Sequence, residues 1–576
     1  MQVTITKALE QKFSAAFQQL GFDKLSPVVL KESSRPEFGD YQVNGIMALA
    51  KEHKVNAREL AAQVIAKVNY EKVIAKLEVA GPGFINITLS NEYLNQRLTK
   101  ELLDVTTTLS HTIIVDYSSP NLAKEMHVGH LRSSIIGDAL VRLYEYLGHR
   151  VIRRNHVGDW GTQFGMLVAY LSEAKSHNDN LDLALSDLEE FYRKAKARFD
   201  EDKRFADRAR EYVVKLQAKD PEIIYLWQQF INMSLNHCQK IYDRLHTKLT
   251  PEDAVGESAY NDLLSIIVED LLAKKVAVNS NGAKCIFFGP GELDVQSETP
   301  FIIQKKDGAY LYATTDIAAI YDRIKNLHAD YLVYVVDVRQ SLHFQQLFAT
   351  VKKAGIVKPE TTLKHVAFGT MLGEDNKPFK TRSGGTVKLT SLTDEAVERA
   401  ATLVRKRNPV WLEPEINELA EMLGIAAIKY ADLSKNRVSD YIFDFDQMLA
   451  FEGNTAPYML YAYVRINSIF KKADLIMENY LDQPIVITEK AEHDLALHLV
   501  KFADRLLQAE EENYPHYICA YIYELARLFM RFYEICPMIK ASDQTHQTSR
   551  LALSALTAEV LKVSLDLLGI TVVGRM

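Results

Sequence analysis

Two histidines three residues apart, His127 and His130, lie with Gly129 between them at the end of the run Ser118-Ser119-Pro120-Asn121-Leu122-Ala123-Lys124-Glu125-Met126-His127-Val128-Gly129-His130. At a helix start, side chains at this spacing can face one ligand. Imidazoles can donate hydrogen bonds to oxygens whose charge grows during in-line attack on a nucleotide phosphorus. In a dry, preorganised site each such donor is worth roughly 3 kcal/mol of transition-state stabilisation. Gly129 would let a phosphate or a ring approach the backbone closely. The same pair could instead cap a helix or make half of a metal site. A metal requires further His, Cys or carboxylate ligands, and none follows with convincing spacing, so no protein-held metal is expected.

The surrounding elements decide between these uses. Residues 112–117 read as a buried strand, 131–147 as an amphipathic helix closed by Gly148, and 151–155 as a second strand. That βαβ unit builds parallel sheets, whose ligands bind outside the carboxyl ends of the strands. The helix N-terminus that follows favours phosphate through its free N–H groups and dipole. Residues 331–337 and 365–369 read as further buried strands of the same sheet, and a charged helical insert fills about 171–250, ending near Pro251. Ahead of the sheet, residues 1–108 read as a small α+β domain. It has helical periodicity over 3–20 and 48–68, and a strand over 84–89 entered through Gly81-Pro82-Gly83. Beyond about 390 strand signals nearly vanish, and helices are expected over 394–407, 415–430, 456–480, 489–535 and 550–568. The expected order is a domain over 1–108, a parallel-sheet domain over 109–390, a helical connection over 391–450 and an all-helical domain over 451–576.

Composition narrows the class. A chain of 576 residues exceeds what one core supports. The net charge of −7, from 68 basic and 75 acidic side chains, neither implies nor excludes a polyanionic partner, because binding needs only a local basic face. Clusters such as Arg150/Arg153/Arg154 and Arg405/Lys406/Arg407 read most simply as solvated faces. The four cysteines, Cys238, Cys285, Cys519 and Cys536, form no Cys-x-x-Cys pair and are too scattered for a disulfide framework. No signal segment opens the chain and no apolar run reaches membrane-spanning length, so a cytoplasmic protein with no membrane partner is expected.

His127-Val128-Gly129-His130 resembles the His-Ile-Gly-His signature of the class I aminoacyl-tRNA synthetases, with one β-branched residue replacing another. The longer frame from Ser119 to His127 resembles the arginyl-tRNA synthetase family. The second class I signature, Lys-Met-Ser-Lys-Ser, is missing in standard form. Phe379-Lys380-Thr381-Arg382-Ser383-Gly384-Gly385 resembles the degenerate version found in many arginyl enzymes, although alone it would read as a hairpin turn with solvated charges. With that resemblance, Lys377, Lys380 and Arg382 are expected to neutralise the leaving pyrophosphate. Lys124 fits the lysine ahead of the first signature that shares this role in the family.

The resemblance implies an α/β fold: a class I Rossmann-like parallel-sheet catalytic domain, an N-terminal α+β tRNA-binding domain and an all-helical C-terminal anticodon-binding domain. It implies an arginine–tRNA ligase using ATP, with Mg2+, as substrate. Its pocket must match a planar, permanently charged guanidinium with five N–H donors. Tyr312 and Asp316, four apart and on one face of a helix, would grip that group, with Glu257 as the second carboxylate. Ser119, Asn121 and Gln340 would hold the amino and carboxylate ends, Asp337 the ribose of ATP, and Asn155–Gly165 would shape the pocket and the tRNA end. For tRNA, aromatic stacking and positive charge are expected of Tyr458, Tyr461 and Arg465. The family's N-terminal reading positions fall on Phe84 and Asn86, and its characteristic tail on Gly569–Met576. A monomer is expected. The rivals are another class I synthetase such as the cysteinyl one, a catalytically silent tRNA-binding paralogue, or a small nucleotidyltransferase. The first is disfavoured because no zinc ligand set is present. The second is disfavoured by the intact His127, His130, Tyr312 and Asp316, and the third by the two flanking RNA-binding regions.

Overall fold

A computed structural model of the chain describes residues 4–22, 30–33, 35–70, 72–176, 188–294, 299–373, 375–377, 379, 387–540 and 543–576. The chain forms two compact units: residues 107–449 with 567–570, and residues 1–106 with 450–566 and 571–576.

The first unit is built on a five-stranded parallel sheet. Its order is Thr362–His365, Tyr331–Tyr334, Thr112–Asp116, Arg150–Val157 and Ala254–Gly256. Ile113, Ile114, Val115, Leu332 and Val333 are almost wholly buried, as expected for strands covered on both faces. The chain leaves Thr112–Asp116 toward Arg150–Val157 on one side and later returns as Tyr331–Tyr334 on the other. The strand order therefore reverses beside Thr112–Asp116, and a ligand crevice is expected at its carboxyl end. The helix Val128–Tyr146 starts in that crevice. The Ser133 hydroxyl donates to the Val335 carbonyl at 2.6 Å and accepts from the Ser118 N–H at 2.8 Å, which pins the helix to two strand ends. A buried Arg132–Asp432 ion pair at 2.9 Å ties the same helix to the helix Glu413–Leu433. Removing one partner of such a pair costs about 3–5 kcal/mol.

Two expectations shift, and one sheet is new. The helix begins three residues earlier than its apolar period suggests, because the two histidines cap it. The strand expected over 365–369 lies earlier, at Thr362–His365. Just beyond His365 the chain keeps an isolated bridge from Phe368 to Asp337, the Gly369 N–H turns to the Arg437 carbonyl at 2.8 Å, and Met371–Leu372 pairs with Tyr441–Ile442. A three-stranded antiparallel sheet, Val278–Ser280, Ala283–Ile286 and Phe301–Gln304, has strands too short to register as a period. The insert consists of the helices Leu188–Glu201, Lys203–Gln217 and Pro221–Arg244, the last two started by the caps Asp202 and Asp220.

The second unit joins an antiparallel sheet to helices. The sheet order is Leu30–Glu32, Tyr41–Val43, Phe84–Leu89 and Ile74–Ala80. The helix expected over 48–68 is two helices, Ile46–His53 and Ala57–Lys67: left-handed Lys54 (φ 55°) stops the first and Asn56 caps the second. The stretch 456–480 is the helix Ala456–Lys472 and a short turn at Met477–Tyr480, parted by left-handed Asp474. The long helix expected over 489–535 is three, Lys490–Leu499, Phe502–Glu512 and His516–Ile535, with left-handed Asn513 ahead of Pro515. The Glu32 carboxylate accepts from Lys501 Nζ at 3.0 Å and from Arg505, and the His493 ring lies between Asn91 at 3.0 Å and Asp40 at 3.4 Å.

Candidate active site

The strand Thr112–Asp116 ends in two consecutive left-handed residues, Ser118 (φ 68°) and Ser119 (φ 47°). Each costs about 1 kcal/mol for a residue with a Cβ. Side chains from neighbouring elements hold the turn: the Ser119 N–H donates to Asn155 Oδ1 at 2.9 Å and its hydroxyl to Asp116 Oδ1 at 2.8 Å. Asn121 follows, its carboxamide oxygen accepting from the Ala123 N–H at 2.9 Å and its backbone bridged to Gly158.

His127 and His130 close this turn. His127 Nδ1 accepts from the Gly129 N–H at 3.0 Å, and His130 Nδ1 accepts from the His127 N–H, also at 3.0 Å. Both rings are thereby fixed in the neutral tautomer that carries its proton on Nε2. Their centroids lie 4.0 Å apart. Burial, with the neighbouring His127 ring next, pushes His130 down to about 3. Burial, then Lys124 and Arg339, lowers His127. The sequence reserved Gly129 for the approach of a phosphate or ring, and the ring that approaches it is that of His127, 2.7 Å from where a Cβ would stand.

The cations around this corner are placed unequally. Lys124 Nζ lies 5.0 Å above the ring of Tyr192 in the insert. Lys388 pairs with Glu125 at 3.0 Å, and its backbone bridges to His127. Lys377 is exposed, and Lys380 and Arg382 lie outside the described residues. Asp337 is held by Arg339, which donates from its backbone N–H at 2.9 Å, from Nε at 2.8 Å and from Nη2 at 2.6 Å.

The carboxylates come from the end of the strand Ala254–Gly256 and from a helix start. Tyr312 opens the helix Tyr312–Lys325 and Asp316 follows one turn later. Glu257 stands in the short turn Glu257–Tyr260 that continues the strand Ala254–Gly256. Burial, then Asp316, then Asp159, pushes the Glu257 carboxyl up to about 8. Burial, then Glu257, raises the Tyr312 phenol. Glu257 thus lies within electrostatic reach of both Asp316 and Tyr312 beside one acidic space, and Tyr312 itself is largely exposed. Asp159 braces its floor by accepting from the Ser258 N–H at 2.9 Å and its hydroxyl at 2.6 Å. Gly256 permits this packing, since a Cβ there would fall 1.9 Å from Asp159 Oδ2. Gln340 is exposed at the end of the turn Val338–Gln340, just ahead of the helix Ser341–Lys353.

Four residues that carry this corner were not singled out from sequence. His343 Nε2 lies 2.7 Å from Asp316 Oδ2, and His156 Nδ1 lies 4.0 Å from carboxylate oxygens of both Asp316 and Asp116. Asp116 accepts from buried Arg323 at 2.6 Å. His156 and His343 lie inside segments the sequence marks for the pocket, 155–165 and 336–343. Asp116 and Arg323 give no local signal, because their pairing spans 207 residues.

In the other unit, Tyr461 accepts from Arg465 Nη1 at 2.9 Å, Arg465 stacks 4.7 Å above Tyr533, and Tyr458 meets Tyr523 edge-on at 6.1 Å. Tyr458, Tyr461 and Arg465 are each partly exposed, as is Met576. Phe84 is half-buried, whereas Asn86 is buried and its carboxamide oxygen accepts from Gln42 at 2.7 Å. Gln42 thus lies beside Asn86 on the neighbouring strand.

Three family models match the chain in order: the arginyl tRNA synthetase N-terminal domain over residues 4–89, the catalytic domain of class I tRNA synthetases (R) over 93–445, and the DALR anticodon binding domain over 459–576. Among curated relatives, the arginine–tRNA ligase of Laribacter hongkongensis is 52% identical over 579 residues, and that of Klebsiella pneumoniae is 50% identical over 578, each match covering 100% of both chains. The crystal structure of the arginyl-tRNA synthetase from Plasmodium falciparum is 32% identical with a TM-score of 0.86, covering 100% of both chains. The Thermus thermophilus arginyl-tRNA synthetase shares the fold, with a TM-score of 0.81 at 24% identity over the same full coverage. The chain belongs to the class I arginyl-tRNA synthetases, ATP-dependent enzymes that join arginine to its tRNA.

Proposed function

We propose that the two corners divide the first half-reaction between them. The histidine corner takes Mg–ATP: the Nε2–H groups of His127 and His130 donate to phosphate oxygens as the arginine carboxylate attacks the α-phosphorus and the bond to pyrophosphate breaks. Lys124 meets the departing pyrophosphate, with Lys377, Lys380 and Arg382 from the glycine-rich loop. Asp337 receives the ribose in competition with Arg339, and Gly129 keeps the His127 ring in place. The acidic corner takes arginine. Asp316 and Glu257 face the guanidinium, Tyr312 covers it, and Ser119, Asn121 and Gln340 hold the amino-acid end. The arginyl adenylate then gives its acyl group to a hydroxyl at the 3′ end of tRNA(Arg).

The observation that carries this reading is the pairing of Nδ1-anchored, neutral imidazoles with a neighbouring space where carboxylates perturb one another. That arrangement suits a polyphosphate on one side and a permanent cation on the other. The other unit would hold tRNA through Phe84, Asn86, Tyr458, Tyr461, Arg465 and the tail at Met576, with Gln42 beside Asn86 adding a polar group. We further propose a monomer acting in the cytoplasm, with domains at 1–108, 109–390, 391–450 and 451–576.

Arginine-dependent exchange of pyrophosphate into ATP, with and without tRNA, tests the division. Exchange driven by arginine alone among the amino acids is expected, with Asp316→Asn raising the KM for arginine and not that for ATP. Equal changes in both constants would overturn it.

A further inference from the structure

The Asp316 carboxylate does not face the acidic space unaided. His343, in the first turn of the helix Ser341–Lys353, brings Nε2 to 2.7 Å from Asp316 Oδ2. The rings of Phe301 at 5.6 Å and Phe344 at 5.5 Å meet the His343 ring edge to face, which fixes its plane. On the other oxygen, Oδ1, His156 Nδ1 stands 4.0 Å away. The His156 side chain is 10% exposed, its ring packs edge-on against Tyr260 at 5.6 Å, and its Nε2 is buried without a hydrogen-bond partner. The other carboxylate near His156, Asp116, is already bound to Arg323.

A carboxylate offers a guanidinium two parallel bonds only when both oxygens lie in the guanidinium plane. A carboxylate on one helix turn can swing about its terminal torsion, which is broad and roughly two-fold. A donor on one oxygen removes that freedom and still leaves a lone pair on each oxygen for the ligand. We infer that His343 is a positioning residue for amino-acid selection: it locks the Asp316 carboxylate in the plane that receives a guanidinium, while His156 sets the limit of swing on the opposite side. The inference rests on the reading that Asp316 receives the guanidinium. His343 lies three residues after Gln340, across the start of one helix. The element proposed to hold the amino-acid end therefore also orients the group that reads the far end of the side chain. Displacing that helix would loosen both ends together.

The test uses the full chain with tRNA present and follows pyrophosphate exchange while arginine and ATP are varied separately. In His343→Gln the amide nitrogen takes the place of Nε2. In His343→Asn the side chain is too short to reach Asp316. Loss of a hydrogen bond to a charged group should raise the KM for arginine about tenfold or more in His343→Asn, with the KM for ATP within about twofold, and His343→Gln should recover most of the loss. His156→Ala, which removes Nδ1, should give a smaller change of the same kind. Asp316→Asn separates the two claims. If it leaves the KM for arginine unchanged, the reading of Asp316 itself fails. If it raises that KM while both His343 variants behave like the parent, the positioning role alone fails. A rise in both KM values that His343→Gln does not reverse would mark His343 as a packing residue and overturn the inference.

Discussion

The histidine corner follows the strand Thr112–Asp116 and Glu257 of the acidic corner follows Ala254–Gly256, two places along the same parallel sheet, yet the two corners manage charge in opposite ways. At His127 and His130 the backbone itself occupies Nδ1, and burial keeps both rings neutral. The polarity presented outward is a pair of N–H dipoles that exist before any ligand arrives. At Glu257 and Asp316, carboxylates approach one another in a half-buried space, and burial first, then the Asp316 charge, favours a bound proton on Glu257. One corner is preorganised for a substrate that brings negative charge. The other holds a repulsion that only a cation relieves. A site joining an anion to a cation needs both, and Asp116, the carboxylate that approaches His156 to 4.0 Å, is itself paired with buried Arg323.

The largest expected effect breaks the first half of this comparison. In His127→Asn the side-chain oxygen takes the place of Nδ1 and can still accept from Gly129, but nothing replaces Nε2–H. Exchange should fall about 10²- to 10³-fold in kcat, the usual loss for one oxyanion donor, with the melting temperature little changed. His127→Ala should lose the same activity and also about 1 kcal/mol of stability, as the cap disappears. If Asn retains activity, the Nε2–H is not the working group.

A smaller effect sharpens the second half. With Glu257 raised to about 8, the empty pocket binds a proton at neutral pH that an incoming guanidinium must expel. Arginine should therefore bind more tightly as pH rises toward 8, by up to about tenfold per unit, with release of up to one proton measurable by calorimetry in buffers of different ionisation enthalpy. Glu257→Gln should flatten this dependence. The histidines should contribute nothing to it, since they stay neutral throughout that range.

The last effect concerns stability in acid and leaves activity near neutral pH untouched. His130 and His365 have folded values pushed down to about 3 and about 4, burial being the first cause for both. Their contribution is complete above the ordinary histidine value near 6.5 and is lost as pH falls toward the folded values. Unfolding followed by urea should lose up to about 1.4 kcal/mol per pH unit for each histidine below pH 6.5. His130→Asn, which keeps an acceptor for the His127 N–H, should remove one proton's worth of that slope. An unchanged slope would show that His130 is charged in the folded enzyme.

What the sequence makes legible follows the range of each interaction. The strand–turn–helix carrying His127 is a local pattern, and its apolar period places the sheet and the helix to within a few residues. The Tyr312/Asp316 spacing is likewise local and lies on one helix face as expected. The break at Lys54 and the break at Asn513 escape a periodicity reading because a single left-handed residue creates each without disturbing the apolar pattern. The His343–Asp316 bond and the Arg323–Asp116 pair join residues 27 and 207 positions apart, so only the fold brings them together. Asn86 is placed by strand register, where it faces Gln42 across the sheet.

The paired left-handed serines at the head of the site have a consequence for how this enzyme can change. Ser119→Gly would relieve backbone strain and could raise thermal tolerance, but it would delete the hydroxyl that anchors Asp116 at 2.8 Å. Selection for heat resistance and selection for charging rate should therefore push this codon in opposite directions. A library screened for survival alone would favour glycine there, and one screened for turnover would restore serine.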